Sequence, residues 1–394
     1  MRLIKWITNR KDIIQMELSQ CREMIDKLND EMLRLFIKRM DVAKDVAEYK
    51  MQNGLPILNK ARERDILHDM TVKAGKEYES YVKVLYSVVM DLSRSYQSKL
   101  LNCKNDIAEG IKNALKTSVK TLPKNATVAC QGVEGAYSQI AADKLFGIEK
   151  ITYFKTFDEV FRAVKDGTCD YGVLPIENST YGTVVEVYDL MKRYSFSIVS
   201  AKKVPIRHTL LACKGAELDG ITEVVSHPQA LGQCSEFLAS HPNIKVTNAA
   251  NTAISAETVA RSGRKDIAAI ASGACAELYD LDVLSLDIQN ATVNTTRFIC
   301  ISKDQMILPG ATKMSIMLTL PHTPGALYNT LARFTAEGLN LTKLESRPIA
   351  GTDFEAQLYF DFEASPYDDG VLSLLDTLSR DCESFSFLGA YPES

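Results

Sequence analysis

Residues 14–56 read IQMELSQCREMIDKLNDEMLRLFIKRMDVAKDVAEYKMQNGLP, and their spacing decides the first part of the fold. Apolar positions fall at Ile14, Leu18, Cys21, Ile25, Leu28, Met32 and Leu35. Steps of four and three in alternation mark a helix with one buried seam. No Pro or Gly interrupts it until Asn53-Gly54-Leu55-Pro56, a stop signal. A second helix fits 60–73, Gly75 breaks it, and a third runs over 78–101 with Val82, Leu85, Val89, Leu92 and Tyr96 on one face. The chain up to about residue 104 is therefore expected to be all-helical. A helix of this length has too few partners in its own chain to cover its seam, which favours pairing with a second copy.

The seam continues onto charge. Four residues past Leu35 stands Arg39, followed by Val42, Val46 and then Lys50. Arg39 and Lys50 are eleven residues apart, so at about 100° and 1.5 Å per residue they share a face about 16 Å apart. Two such side chains either snorkel into water or reach inward and clasp a small anion. Two cations on one otherwise apolar stripe favour the anion site. Arg22 lies roughly 25 Å from Arg39 and about 100° round the helix, so it reaches the same ligand only from a second copy.

Outward from this helix, residues 105–125 are polar and end in Pro-Lys-Asn, which reads as a partly helical linker. From 126 to 304 short β-rich runs (127–130, 151–154, 171–174, 197–199, 223–225, 244–246, 267–271, 297–301) alternate with helical ones, an α/β pattern of two lobes. Pro309-Gly310 marks another boundary. Beyond it the order strand 313–320, helix 325–337, strand 341–348, strand 354–363, helix 368–379 and strand 385–390 is the βαββαβ of an α+β ferredoxin-like unit, spanning 312–392. The expected organisation is multidomain: an all-α unit over 12–104, a linker, an α/β unit and an α+β unit.

Composition excludes several classes. The 394 residues carry 46 basic and 50 acidic side chains, a net charge of -4. That balance gives no field for nucleic acid or for an anionic membrane. Nine cysteines and five histidines are scattered without CxxC or zinc spacing, so reduced thiols in the core are expected, with no metal. The basic start MRLIKWITNRKD lacks the apolar core of a signal peptide, and residues 1–11 read as a leader or as sequence ahead of a start at Met16. A cytoplasmic protein without a membrane span is expected.

The run REMID (22–26), KR (38–39), Lys50, PILNKARE (56–63) and Ser93 with Gln97 resembles the all-helical bacterial chorismate mutases. The resemblance implies an intertwined homodimer in which Arg39, Lys50 and a partner-chain Arg22 hold the two carboxylates of chorismate. It sets Ser93 beside them, Glu63 near the ring hydroxyl, and Lys50 with Gln97 on the ether oxygen. No nucleophile, metal or cofactor is needed, because the reaction is an intramolecular rearrangement that requires a held conformer and charge stabilisation. The family commonly has Asp where Asn59 stands, and Asn59 can still accept a hydrogen bond through its amide oxygen.

GVEGAYS (132–138) follows a strand and opens a helix, but lacks the G-x-G-x-x-G spacing of a nicotinamide site. With PIENS (175–179), SHPQ (226–229) and TTRF (295–298) it resembles prephenate dehydratase, whose two lobes are like those of a periplasmic binding protein. The resemblance implies loss of the ring hydroxyl and a carboxylate from prephenate in the cleft, giving phenylpyruvate. It places Thr296 as the proton donor, Arg297 as a carboxylate clamp, and Ser138, Glu177, Asn178, Ser179 and Gln229 around the substrate. A threonine is a poor acid alone, so Glu177 or Asn178 is expected to organise it. His227 reads as structural or gating before it reads as a base.

TPGAL (323–327) and ESRP (345–348) resemble the phenylalanine-binding ACT domain attached to many such dehydratases. That implies feedback by L-phenylalanine at Gly325, Ala326, Leu327, Glu345, Ser346 and Arg347, with Gly325 allowing close backbone approach. An ordinary Glu345–Arg347 ion pair is the plain alternative. Together these resemblances imply a bifunctional enzyme of phenylalanine biosynthesis, at least dimeric, with no cofactor. An arogenate dehydratase and a non-catalytic small-molecule sensor are the competing readings.

Overall fold

The computed structural model describes residues 17–394 apart from 101–105, 118, 148–149, 324, 350 and 352–354. The expected leader, the seam position Ile14, Cys103, Pro324 and Phe354 lie outside the described residues. The chain divides into two compact units.

The first unit is helical: α1 (Leu18–Gln52), α2 (Lys60–Ala74) and α3 (Glu79–Leu100). On α1 only Ala43 and Ala47 are buried, and these small residues let it pack closely on α3. The N-terminal half of its seam is uncovered, with Ile25, Leu28, Met32 and Leu35 all half-exposed or more. Asn59 caps α2, its Oδ1 accepting from the Arg62 N–H at 3.0 Å.

The second unit begins with α4 (Asp106–Lys116). Within the expected linker this helix buries Ala108, Ile111 and Ala114, and packs on a C-terminal helix. It is thus part of a packed body, because three apolar residues at helical spacing gave it one sticky face. A first lobe follows: β1 (Thr127–Gln131), α5 (Tyr137–Phe146), β2 (Lys150–Phe154), α6 (Phe157–Lys165), β3 (Tyr171–Asn178), β4 (Gly182–Thr183), α7 (Val185–Tyr194) and β5 (Ser197–Pro205). The chain then crosses into a second lobe of β6 (Thr209–Cys213), β7 (Glu223–Ser226), α8 (Pro228–Gln233), α9 (Ser235–Ala239), β8 (Lys245–Asn248), α10 (Thr252–Ser262), β9 (Ile267–Ala271), α11 (Ala274–Leu278) and β10 (Leu281–Ser285). It returns through β11 (Thr295–Ser302). The first sheet runs β2-β1-β3-β11-β5 with β4 on β3, and the second runs β10-β6-β9-β7-β8. Two crossings between separate sheets leave a cleft where strand ends and helix starts meet, as in other two-lobed α/β folds.

The C-terminal body is β12 (Lys313–Thr319), α12 (Ala326–Ala336), β13 (Asn340–Pro348), β14 (Ala356–Glu363), α13 (Asp369–Asp381) and β15 (Ser384–Tyr391), with sheet order β13-β14-β12-β15. This is the expected split βαβ arrangement. The body is joined to the first lobe by backbone. A Cβ on Gly389 would lie 2.2 Å from the Ile198 carbonyl oxygen, so only glycine lets β15 cross β5 here. The tail beyond then pairs with β5: Ala201 N–H donates to Pro392 O at 3.0 Å and Lys203 N–H to Ser394 O at 2.8 Å. Among the described residues no helix is long and apolar enough to cross a membrane, and the buried Cys130, Cys169, Cys234, Cys275 and Cys300 are free thiols.

Candidate active sites

The helical unit holds a cavity of about 340 Å³. Arg39 and Lys50 from α1, Asn59 and Glu63 from the start of α2, and Ser93 and Gln97 from α3 all line it. The helical spacing brings them together: Arg39 and Lys50 share a face, and Ser93 and Gln97 sit one turn apart. Arg22 is exposed on α1 and does not line this cavity. Lys50 Nζ donates to the Ile57 carbonyl, and its ammonium is held below the ordinary lysine value by burial, partly offset by Glu63. Gln97 Nε2 donates weakly to Ser93 Oγ at 3.4 Å, while its buried Oε1 has no hydrogen-bond partner among the described residues. The Asn59 amide oxygen, which the sequence offered as an acceptor for ligand, is engaged by the α2 cap.

One residue here went unnoticed in the sequence. Arg94 lines the cavity, with its Nη1 2.5 Å from both Glu63 oxygens and its Nη2 2.6 Å from Asp91. Helical spacing carried the signal, since 90, 93, 94 and 97 form one stripe on α3.

The second unit has a cavity of about 370 Å³ between its lobes. Its wall takes Tyr137 and Ser138 from the start of α5, Asn178 from the end of β3, and Thr296 and Phe298 from β11. The second lobe contributes His227, Gln229 and Gln233 from α8 and its cap, Asn251 and Thr252 from the start of α10, and His208 from the crossing. Asn178 Nδ2 donates to Thr296 Oγ1 at 2.9 Å, and Asn178 Oδ1 accepts from the N–H groups of Thr180 and Tyr181. The amide is therefore locked, and the Thr296 oxygen is an acceptor in this bond, which leaves its own O–H free to donate elsewhere. His227 caps α8, its Nδ1 accepting from the Gln229 N–H at 3.2 Å, and burial holds its ring below the ordinary value.

Two kinds of relative match this chain. A family model for "Chorismate mutase type II" matches residues 21–98, and one for "Prephenate dehydratase" matches residues 128–306. The bifunctional chorismate mutase/prephenate dehydratase of Escherichia coli K12 is 30% identical over 94% of this chain and 95% of its own length. The chain belongs to the bifunctional chorismate mutase/prephenate dehydratase family. Arogenate dehydratase 2 of Petunia hybrida is 34% identical over 81% of this chain and 84% of that protein. A solved prephenate dehydratase from Arthrobacter aurescens, in complex with L-Phe, superposes with a TM-score of 0.62 at 29% identity, over 68% of this chain and 90% of that one. The helical unit is thus the mutase domain, an isomerase, and the two-lobed body is the dehydratase, a lyase.

Within the dehydratase domain three expected residues stand elsewhere. Ser179, Glu177 and Arg297 do not line the cavity. Successive residues of a strand point to opposite faces, so Thr296 and Arg297 cannot both look into one site, nor can Asn178 and Glu177. Arg297 turns to the far face of the sheet, where it is 3% exposed and ion-paired with Glu177 at 2.7 Å, with Asp361 of β14, and with Glu393 of the tail at 3.4 Å. Burial pulls this guanidinium down, but Asp361, Tyr391 and Glu177 together raise it. Burial raises Glu177 too, and Arg297 followed by Lys343 (2.6 Å) outweighs it to hold the carboxyl below the ordinary range. Ser179 instead ties β3 to β11, its Oγ accepting from the Thr295 N–H. Among the described residues no Arg or Lys lines the dehydratase cavity, and the starts of α5 and α10, ends that favour negative charge, open onto it.

In the C-terminal body Glu345 and Arg347 make no ion pair with each other but face the first lobe. Glu345 accepts from Thr183 Oγ1 at 2.9 Å, and Arg347 lies 3.7 Å from Asp189. Ser346, between them, is exposed on the other face. Gly325 has φ 87° and open space where a Cβ would stand, so its left-handed backbone, not a close approach, is what calls for glycine. Ala326 and Leu327 open α12 directly after it.

Proposed function

We propose that each cavity runs one of the two reactions of this family. In the mutase cavity Arg39 and Lys50 hold the chorismate carboxylates, and Gln97 donates through its amide to the breaking ether oxygen. Lys50 meets the same oxygen as charge grows there, in a setting that excludes water and so strengthens the contact. Arg22 completes the site from a second copy of the chain. The half-exposed seam of α1 around Ile25, Leu28 and Met32 supports that pairing, since a stripe of this kind is costly in water. Glu63, aligned by Arg94, faces the ring hydroxyl.

In the dehydratase cavity, Thr296 donates a hydrogen bond to the ring hydroxyl of prephenate. The C–O bond breaks as the ring carboxylate leaves as carbon dioxide, and its C–C electron pair completes the aromatic ring. The departing hydroxide takes a proton through Thr296, which is reprotonated from solvent, so the products are phenylpyruvate, water and carbon dioxide. Asn178 organises Thr296, and Ser138, Gln229 and the helix starts receive the carboxylates. The observation that carries this reading is the 2.9 Å bond from Asn178 to Thr296 inside the cavity, which sets the threonine proton free. The match of residues 128–306 to the prephenate dehydratase model supports prephenate as the substrate.

The C-terminal body acts as an ACT domain that senses L-phenylalanine at the start of α12 (Gly325, Ala326, Leu327) and at Ser346 of β13, while Glu345 and Arg347, on the other face of that strand, touch the dehydratase lobe. The solved relative that holds L-Phe and the free edge of β13 support this. Effector control requires unequal binding to two arrangements of the body. One assay tests the whole reading: purified protein given chorismate, prephenate or arogenate, with and without phenylalanine. Turnover of the first two, slowed by phenylalanine, is expected. Prompt arogenate turnover would replace the substrate assignment, and no turnover of any of them would end the enzyme reading.

A further inference from the structure

His208 stands where the chain first crosses between the lobes and is 2% exposed. Its backbone is fixed on both sides: its N–H donates to Gln289 Oε1 at 2.8 Å, and its carbonyl accepts from the Ile288 N–H at 3.0 Å. The ring is fixed as well, with Nε2 2.5 Å from Oε1 of Gln233. An amide oxygen only accepts, so the single proton of the neutral imidazole sits on Nε2 and Nδ1 carries a bare lone pair. That Nδ1 is buried and has no hydrogen-bond partner among the described residues. Burial, partly offset by the Gln233 bond, holds the ring below the ordinary histidine value, which keeps it neutral near pH 7. His208 and Gln233 both line the cavity that contains Thr296.

A buried acceptor without a donor is costly, and its cost is relieved when a ligand donates to it. Prephenate as the dianion has two carboxylates and a ketone, all acceptors, which a lone pair repels. Its ring hydroxyl is its one hydrogen-bond donor. We propose that His208 is a positioning residue of the dehydration: Nδ1 accepts the ring hydroxyl proton's hydrogen bond and so turns an oxygen lone pair toward the Thr296 O–H. Gln233 serves this by fixing the tautomer. The imidazole neither gains nor loses a proton. The departing oxygen is held from two sides, by an acceptor on its hydrogen and by a donor on its lone pair. Orientation of this kind acts on the reacting bond more than on ground-state affinity.

The proposal rests on the assignment of prephenate to this cavity, and two substitutions in the full-length protein separate the two ideas. In His208→Gln the side-chain end reaches the Nε2 position and keeps a polar contact with Gln233, but nothing occupies the Nδ1 position. In His208→Asn the amide oxygen takes the Nδ1 position and the Gln233 contact is lost. Dehydratase kcat should fall by about tenfold or more in His208→Gln, with KM little changed, and His208→Asn should retain several-fold more kcat than His208→Gln. Equal loss in the two variants, or a His208→Gln enzyme with the parent kcat, overturns the proposal whatever happens to mutase activity. Failure of the cavity assignment looks different: Thr296→Val would then leave prephenate turnover untouched.

Discussion

Replacing Arg297 by Met tests whether this residue holds substrate or holds the dehydratase to its C-terminal body. The guanidinium is 3% exposed and faces three carboxylates. Two of them keep a cation when it is removed, Glu177 through Lys343 and Glu393 through Lys203 and Lys313. Among the described residues Asp361, whose side chain is 7% exposed, then keeps only the Ser315 hydroxyl at 2.6 Å. One carboxylate is thus left buried without a countercharge, which costs about 3–5 kcal/mol. With a urea slope of about 2–3 kcal/mol per molar, the unfolding midpoint of the dehydratase should fall by about 1–2.5 M. Replacing Asp361 by Leu in the same chain removes the stranded charge and should recover most of that loss. The dependence on pH follows in sign. Glu177 and Glu393 are held below the ordinary carboxylate range, so their stabilisation is full above the unfolded value of about 4.3 and is lost as pH falls through the folded one. Parent and variant should therefore differ most near neutrality and converge in acid. Urea unfolding monitored by circular dichroism gives the midpoints, and steady-state kinetics on prephenate give KM under folding conditions, where less than a threefold change is expected. An unchanged midpoint with KM raised tenfold or more would refute the argument and return Arg297 to the role of carboxylate clamp.

The remaining expectations concern the two reactions. Thr296→Val should cost the dehydratase about a hundredfold or more while mutase activity, assayed as chorismate loss, stays near the parent value. Arg22→Ala and Arg39→Ala should each lose mutase activity, and mixing the two proteins under conditions of subunit exchange should restore up to about a quarter of the parent rate, since half the dimers would then carry one intact site. No recovery on mixing, with exchange shown by light scattering or tagged copies, would sink the shared site. The alkaline limb of the mutase kcat/KM profile should lie below the free lysine value of about 10.4, because burial of Lys50 eases loss of its proton. Asn59→Asp should keep the α2 cap and melt with the parent, whereas Asn59→Ala should lose about 1 kcal/mol in a thermal melt.

What the sequence determined alone was local and periodic. The three-four spacing from Leu18 onward made α1 a helix, and the same geometry put Arg39 and Lys50 on one face and stranded Arg22 on another. Turn residues and alternating periods marked the two lobes and the βαββαβ body, and the motif residues Ser138, Asn178, Gln229 and Thr296 do meet in one cavity. The tertiary structure decided what no local rule reaches. Strand parity already forbade Thr296 and Arg297 from sharing a site, and likewise Asn178 and Glu177. Which of each pair faces the cleft depends on which side of the sheet the C-terminal body covers, and that is set by contacts between residues more than sixty positions apart. The same holds for Arg94 against Glu63 and for His208 against Gln233. Each is a polar group whose partner lies on a different element, so its role exists only once packing has chosen what it faces.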